Sequence, residues 1–265
     1  MINVKNIFAG YQKHTPILKD VSFNIPKGSF AGIIGRNGAG KSTLLKTLCN
    51  LLKLSSGAIE INNKNINSVK KSEFAKTVAF MPQSIDTVFP FSVKDFVLLG
   101  RYPYMNVFKI PSKKDLEAVG NVLEFTGIKV FENRNINELS GGEKQKVLIA
   151  QTLAQETDII VLDEPTSHLD IGSQNDILEL LRVLNEKHNK TIITTLHDLN
   201  AAGEFCSKII LMDGGKIRNA GAPEEVLNYK DIESVYKTRV VVKTNPMSGK
   251  PYVIPVKRQS EKLKV

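Results

Sequence analysis

The chain has 265 residues, 42 % of them hydrophobic, and a formal charge of +9, enough length and apolar content for one large domain, or one domain with inserted and appended parts, that folds alone. No stretch approaches the ~20 apolar residues of a membrane span, and residues 1–6 lack the apolar segment of a signal peptide, so a cytosolic chain is expected. Cys49 and Cys206 lie far apart and His14, His168, His188 and His197 are scattered, which argues against a zinc site or a disulfide framework and for buried reduced thiols.

Residues 2–8 alternate apolar with polar side chains, as do residues 21–25 before a Pro26-Lys27-Gly28 turn. Both read as half-exposed strands of a small antiparallel sheet. Between them Tyr11 stands in a polar loop, open to two readings: a ring stacked on adenine, or an ordinary half-buried tyrosine. Phe30, Ala31, Ile33 and Ile34 then read as a buried strand, and the stretch Gly35-Arg36-Asn37-Gly38-Ala39-Gly40-Lys41-Ser42-Thr43 fits G-x-x-x-x-G-K-[ST]. A strand before it and a helical pattern from Ser42 supply the context this motif requires. Its glycines let successive backbone N–H groups point inward, and the helix adds its unpaired N–H groups and positive dipole end, a cradle for polyphosphate. Lys41 is placed to reach the β and γ phosphates of a nucleotide and the Ser42 hydroxyl to hold Mg²⁺.

Leu44, Leu45, Leu48, Leu51 and Leu52 keep helical spacing. Ser55-Ser56-Gly57 reads as a turn, residues 58–61 as a short strand, Asn62-Asn63-Lys64-Asn65 as another turn, and residues 78–81 as a strand ending at Pro82-Gln83. Gln83 therefore sits just past a core strand, at the edge where α/β sheets bind ligands, although position alone leaves it a loop glutamine. From 84 to about 155 the strand pattern gives way to three helices, at 93–99, 113–125 and 143–153, a helical subdomain inserted into an α/β core. The aromatic link Leu99-Gly100-Arg101-Tyr102-Pro103-Tyr104 reads equally as a partner surface or a packed turn.

Leu139-Ser140-Gly141-Gly142-Glu143 opens the third of these helices. Ser140 with Glu143 is a capping box; the two glycines go beyond what a cap needs and expose N–H groups at a helix start, a second anion site. This stretch resembles the signature motif of the ATP-binding cassette (ABC) family. The resemblance implies a P-loop NTPase (RecA-like) α/β core with an N-terminal antiparallel β subdomain and the inserted helical subdomain. It also implies a homodimer in which two copies pair head to tail, each signature closing on the other's ATP.

Residues 159–162 are an apolar run, a buried parallel strand, ending in Asp163-Glu164-Pro165. The resemblance gives Asp163 a water-mediated hold on Mg²⁺ and Glu164 the task of polarising the water that attacks the γ-phosphorus; it makes Tyr11 an adenine platform and Gln83 a residue contacting Mg²⁺ and that water. Ser167-His168-Leu169-Asp170 is similar to the family's loop across the dimer interface, with Asp170 tying the two sites together; by itself Asp170 is a helix N-cap. A helix at 171–186 and a β-branched strand at 191–195 lead to His197, which resembles the family's switch residue at the γ-phosphate. A strand at 208–212, a hairpin turn at Asp213-Gly214-Gly215, its return at 216–220 and a helix start at Pro223 complete the cassette, at 1–228. Residues 229–265 form an extension with two short strands, at 239–242 and 252–255, and a basic tail from Lys257. From Lys216 onward eleven Lys and Arg face five Asp and Glu, so most of the charge surplus is C-terminal. Without aromatic interleaving it reads as a solvated face, and no nucleic acid partner is expected.

Three positions depart from the family pattern: Arg36 stands where proline is frequent, and Lys144 and Lys146 where many relatives carry arginine, which keeps the charge but loses the bidentate fork. Phe91-Ser92-Val93, the 99–104 link, residues 167–170 and Gly249-Lys250-Pro251-Tyr252-Val253-Ile254-Pro255 resemble ATPase subunits of importers for iron-siderophores, haem and cobalamin. That branch implies a peripheral protein on the cytoplasmic face of the membrane, two integral membrane permease subunits as partners, and an extracytoplasmic substrate-binding protein acting indirectly. An exporter ATPase and a soluble non-transport ABC ATPase are the alternatives.

Overall fold

A computed structural model describes residues 1–12, 15–84, 89–105, 108 and 110–257; the basic tail expected from Lys257 lies outside these beyond its first residue. In chain order the strands and helices are β1 (Ile2–Ala9), β2 (Leu18–Ile25), β3 (Phe30–Gly35), α1 (Lys41–Leu48), β4 (Leu54–Ile61), β5 (Lys64–Asn65), α2 (Lys71–Phe74), β6 (Val78–Met81), α3 (Val93–Leu98), α4 (Lys113–Phe125) and α5 (Gly141–Leu153). They continue with β7 (Ile159–Leu162), α6 (Ile171–His188), β8 (Thr191–Thr195), α7 (Leu199–Phe205), β9 (Lys208–Asp213), β10 (Lys216–Gly221), α8 (Pro223–Val226), α9 (Tyr229–Tyr236), β11 (Val240–Thr244) and β12 (Pro251–Pro255).

One sheet has the order β10-β9-β3-β8-β7-β6, parallel throughout except for β10, which returns antiparallel on β9. A second, antiparallel sheet has the order β2-β1-β4-β5, and β11 pairs with β12 as a separate ribbon. The parallel strands are buried on both faces, as continuous apolar runs require, and their pleat feeds two cores. Phe30, Ile34, Ile160, Leu162, Ile209 and Leu211 face one that also holds the helical segment and α9. Ala31, Ile33, Ile159, Val161, Ile210 and Met212 face the other, which joins the antiparallel sheet and α1.

Several local expectations are corrected. The helix after the phosphate loop stops at Leu48 and the chain turns at Asn50 with φ 54°, so Leu51 is exposed: helical spacing persisted past the point where the backbone left the helix. Ser55-Ser56-Gly57 is strand, because β4 begins at Leu54 and follows β1 through a register shift. Lys64 and Asn65 pair back on β4 instead of extending the turn. Helices α7 and α9 were not anticipated, although Asp198 and Asn228 cap them with side-chain hydrogen bonds.

The 99–104 link is a 3₁₀ helix around a buried charge. Arg101 is 1 % exposed; its Nε donates to Asp115 Oδ1 at 3.0 Å, and its Nη1 donates to Ala154 O at 2.8 Å and to Glu156 Oε2 at 2.6 Å. Tyr104 lies with its ring 4.2 Å from the guanidinium and donates its hydroxyl to Gln155 O. The packed-turn reading accounts for these two side chains, while Tyr102 keeps an exposed face. No described helix is long and apolar enough to cross a membrane.

Candidate nucleotide site

The strand β3 ends at Gly35 in the middle of the parallel sheet, and the loop to α1 curls over its end. Gly38 and Gly40 take φ of 78° and 98°, values closed to most side chains, which favours glycine at both and explains why the motif fixes it at Gly40. Ala39 N–H donates to Arg36 O at 3.1 Å and Gly215 N–H donates to Ala39 O at 3.1 Å, tying the loop to the β9-β10 turn. The Lys41 ammonium donates to Gly35 O at 2.9 Å and Arg36 O at 3.3 Å. Burial holds its pKa below the ordinary lysine value, against the upward pull of the Glu164 and Asp163 charges.

A cleft of about 730 Å³ opens above this loop. Asn37, Gly38, Gly40, Lys41, Ser42 and Thr43 line one side and Gln83, Glu164 and His197 the other. Gly35 and Ala39 are buried and do not line it. Glu164 follows β7 in a left-handed conformation, φ 51°. Its Oε2 accepts from Gln83 Nε2 at 2.6 Å and its Oε1 lies 2.5 Å from His197 Nε2. Three residues from the ends of three different strands thus meet at one carboxylate.

Asp163 is buried beside it. Thr195, the last residue of β8, donates its hydroxyl to Asp163 Oδ1 at 2.8 Å and accepts from Glu164 N–H at 2.7 Å. No sequence reading singled out Thr195; its only signal was a β-branched hydroxyl at the exit of the strand that neighbours the acidic pair. Tyr11 lies away from the cleft lining, 59 % exposed, with its hydroxyl accepting from Lys46 of α1 at 3.4 Å.

The signature residues stand elsewhere. Ser140, Gly141, Gly142 and Glu143 line a second cavity of about 350 Å³ together with Lys146, Asp170 and Ser173, while Leu139 is buried in the core. The capping box is complete: Ser140 Oγ accepts from Glu143 N–H at 3.4 Å, and Glu143 Oε2 accepts from Ser140 N–H at 2.8 Å. The hydrogen bonds from the Ser140 side chain and backbone hold the Glu143 carboxyl below the usual range. Asp170 caps α6, accepting from Ser173 N–H at 2.9 Å and Ser173 Oγ at 2.8 Å. His168, with φ 62°, borders both cavities. Cys49 and Cys206 are free, buried thiols.

Residues 18–167 match the family described as ABC transporter. The petrobactin import ATP-binding protein FpuD of Bacillus anthracis is 42 % identical over 241 residues, 91 % of this chain and 88 % of that one. The ferric enterobactin transport ATP-binding protein FepC of Escherichia coli K12 is 39 % identical over 249 residues, 94 % of this chain and 92 % of that one. Among solved structures, a chain assigned to the metal-chelate type of ABC transporter, in an inward-facing conformation, superposes with a TM-score of 0.85 at 28 % identity, covering 97 % of both chains. A dimeric ATP-binding cassette in a post-hydrolysis state, bound to ADP and Pi, superposes with a TM-score of 0.73 at 31 % identity, over 84 % of this chain and 99 % of that one.

Proposed function

The chain belongs to the ABC transporter family as one of its ATP-binding ATPases, and from that membership we propose that it energises an importer for iron-siderophores or related chelates such as haem or cobalamin. The observation that carries the chemistry is the Glu164 carboxylate held between Gln83 and His197 across the cleft from Lys41 and Ser42. The siderophore import relatives, matched over 88 % and 92 % of their own length, support the direction and the cargo class.

In this reading the loop N–H groups and Lys41 bind the β and γ phosphates, and Tyr11 swings to the adenine from its place beside α1. Glu164 accepts the proton of the attacking water while an oxygen–phosphorus bond forms at the γ-phosphorus and the bond to the ADP oxygen breaks. Gln83 and His197 hold that carboxylate, and His197 reports the γ-phosphate. The donor set Ser42, Gln83 and Asp163 is all oxygen, which suits Mg²⁺; the ion neutralises charge on the β and γ phosphates when bound. Ser140, Gly141, Gly142 and Glu143, with Leu139 seating them on the core, face the ATP of a second copy, and Asp170 lies between the two sites. We place the cassette at residues 1–228, the helical insert at about 84–155 and the extension at 229–265. Two integral membrane permease subunits hold the homodimer on the cytoplasmic face, and an extracytoplasmic binding protein acts through them.

Glu164→Gln is expected to retain ATP binding and lose turnover by roughly 10²–10⁴-fold, the contribution of a positioned base; turnover at the wild-type rate would sink the assignment. Capture of tagged Glu164→Gln protein from native membranes with Mg²⁺-ATP is expected to recover a many-helix permease. Ribosomes or DNA in its place would overturn the importer reading.

A further inference from the structure

The helix that follows His197 is gripped from outside the nucleotide cleft, by groups the hydrolysis scheme does not use. Asp198 caps α7, accepting from Asn200 N–H at 2.7 Å and Ala201 N–H at 3.3 Å. The Asn200 side chain then turns outward to β12. Its Oδ1 accepts from Val253 N–H at 2.7 Å and its Nδ2 donates to Val253 O at 3.3 Å, so one amide satisfies both backbone groups of Val253 on the edge it presents to α7. One turn on, Gly203 lets the ribbon come close: a Cβ there would stand 2.8 Å from Pro251 O and 3.0 Å from Leu227 Cδ1. Glu204 accepts from Ser248 Oγ at 2.6 Å. Val240 and Val253 are buried in the same core as Ala202 and Cys206. From α9, Tyr236 brings its hydroxyl beside the backbone of Gly35, where burial pushes its pKa up to about 12.

We propose that α9 and the β11-β12 ribbon form a brace for α7, and that Asn200 is a positioning residue which, through α7, fixes His197 against Glu164. This rests on the reading of His197 and Glu164 given above. At seven residues α7 is well below the 12–15 that a helix needs to persist alone in water, so its position is set by what packs on it. His197 is 46 % exposed; with little packing around the imidazole, its aim follows the backbone at the start of α7. An error of about 1 Å at such a contact can cost on the order of 10²-fold in rate. Lys41 and Ser42 lie on α1, and the contacts of Asn200 and Gly203 given above do not reach them.

The test is steady-state ATPase of the full chain with Mg²⁺-ATP, equilibrium titration of ATP, and hydrogen exchange at the α7 amides. Asn200→Ala is expected to lower kcat about tenfold, to leave ATP affinity within about twofold, and to speed exchange across α7. Asn200→Asp, which keeps the acceptor for Val253 N–H but sets a carboxylate oxygen against Val253 O, should fall between wild type and Asn200→Ala, and Gly203→Ala should repeat the Asn200→Ala result by pushing Pro251 away. Lys243→Ala, on the exposed face of the ribbon, serves as the unchanged control. Wild-type kcat in Asn200→Ala or Gly203→Ala overturns the brace. So does a loss of kcat with α7 exchange unchanged, or a parallel loss of ATP affinity. If Asn200→Ala does not fold, Gly203→Ala decides by the same criteria. His197→Ala separates the two layers: turnover surviving it defeats the reading of the switch, whereas turnover lost there and kept in Asn200→Ala defeats the brace alone.

Discussion

Replacing Thr195 with valine removes one oxygen and leaves the shape of the side chain nearly intact. That oxygen is fully buried and serves two masters, donating to Asp163 Oδ1 and accepting from Glu164 N–H. A hydrogen bond to a charged group contributes about 1.5–3 kcal/mol, and an orphaned buried N–H costs about 1–3 kcal/mol. The added burial of a methyl group returns about 0.8 kcal/mol. The balance is a loss of roughly 3 kcal/mol, which for a chain of this size lowers Tm by about 6–12 °C. Turnover should fall further than stability suggests, about tenfold, because Glu164 sits in a left-handed conformation that only its surroundings hold. Differential scanning calorimetry and steady-state ATPase on Thr195→Val and Thr195→Ser read both effects, with serine restoring the hydroxyl. A Thr195→Val protein with unchanged Tm and kcat would refute the reasoning, as would a serine variant no better than valine.

Arg101→Met is expected to cost about 3–5 kcal/mol, since it strands Asp115 without its partner in the interior; adding Asp115→Leu should recover part of that loss in denaturant titrations. Burial opposes ionisation of Asp115, yet hydrogen bonds from Ser112 and Arg101 outweigh it and hold the carboxyl below the usual range. A depressed folded pKa stabilises above the unfolded value of about 4 and is lost as pH falls through the folded value. Asp115→Asn should therefore flatten the decline in stability below about pH 4; an unchanged acid limb would contradict this. Burial pushes both the Cys49 and Cys206 thiols up, so a thiol-reactive dye at pH 8 should label neither in the native protein and both in denaturant.

The parts of the site that were legible in the sequence are those whose chemistry is local. The Gly35 to Thr43 loop, the Ser140 to Glu143 helix start and the Asp163-Glu164 pair each combine special backbone needs with adjacent side chains, so a short window carries them. Thr195 and Arg101 were not legible because their partners are distant in sequence: Thr195 answers to Asp163, and Arg101 to Asp115 and Glu156. Helix α7 is short and holds a glycine, so its apolar pattern is weak, and its hold comes from a strand some fifty residues later. Leu51 misled because periodicity does not show where a backbone turns, while Asn50 in a left-handed conformation does.

The pleat of the parallel sheet also governs how this chain can change over generations. In β3, Phe30 and Ile34 lean toward the helical segment and the C-terminal brace, and Ala31 and Ile33 toward the antiparallel sheet and α1. Residues without shared partners add their effects independently. Substitutions accumulated among the helices can therefore be compensated there without disturbing the layer beneath the phosphate cradle. Each side of the sheet is thereby free to drift in sequence while the packing on the other side is kept.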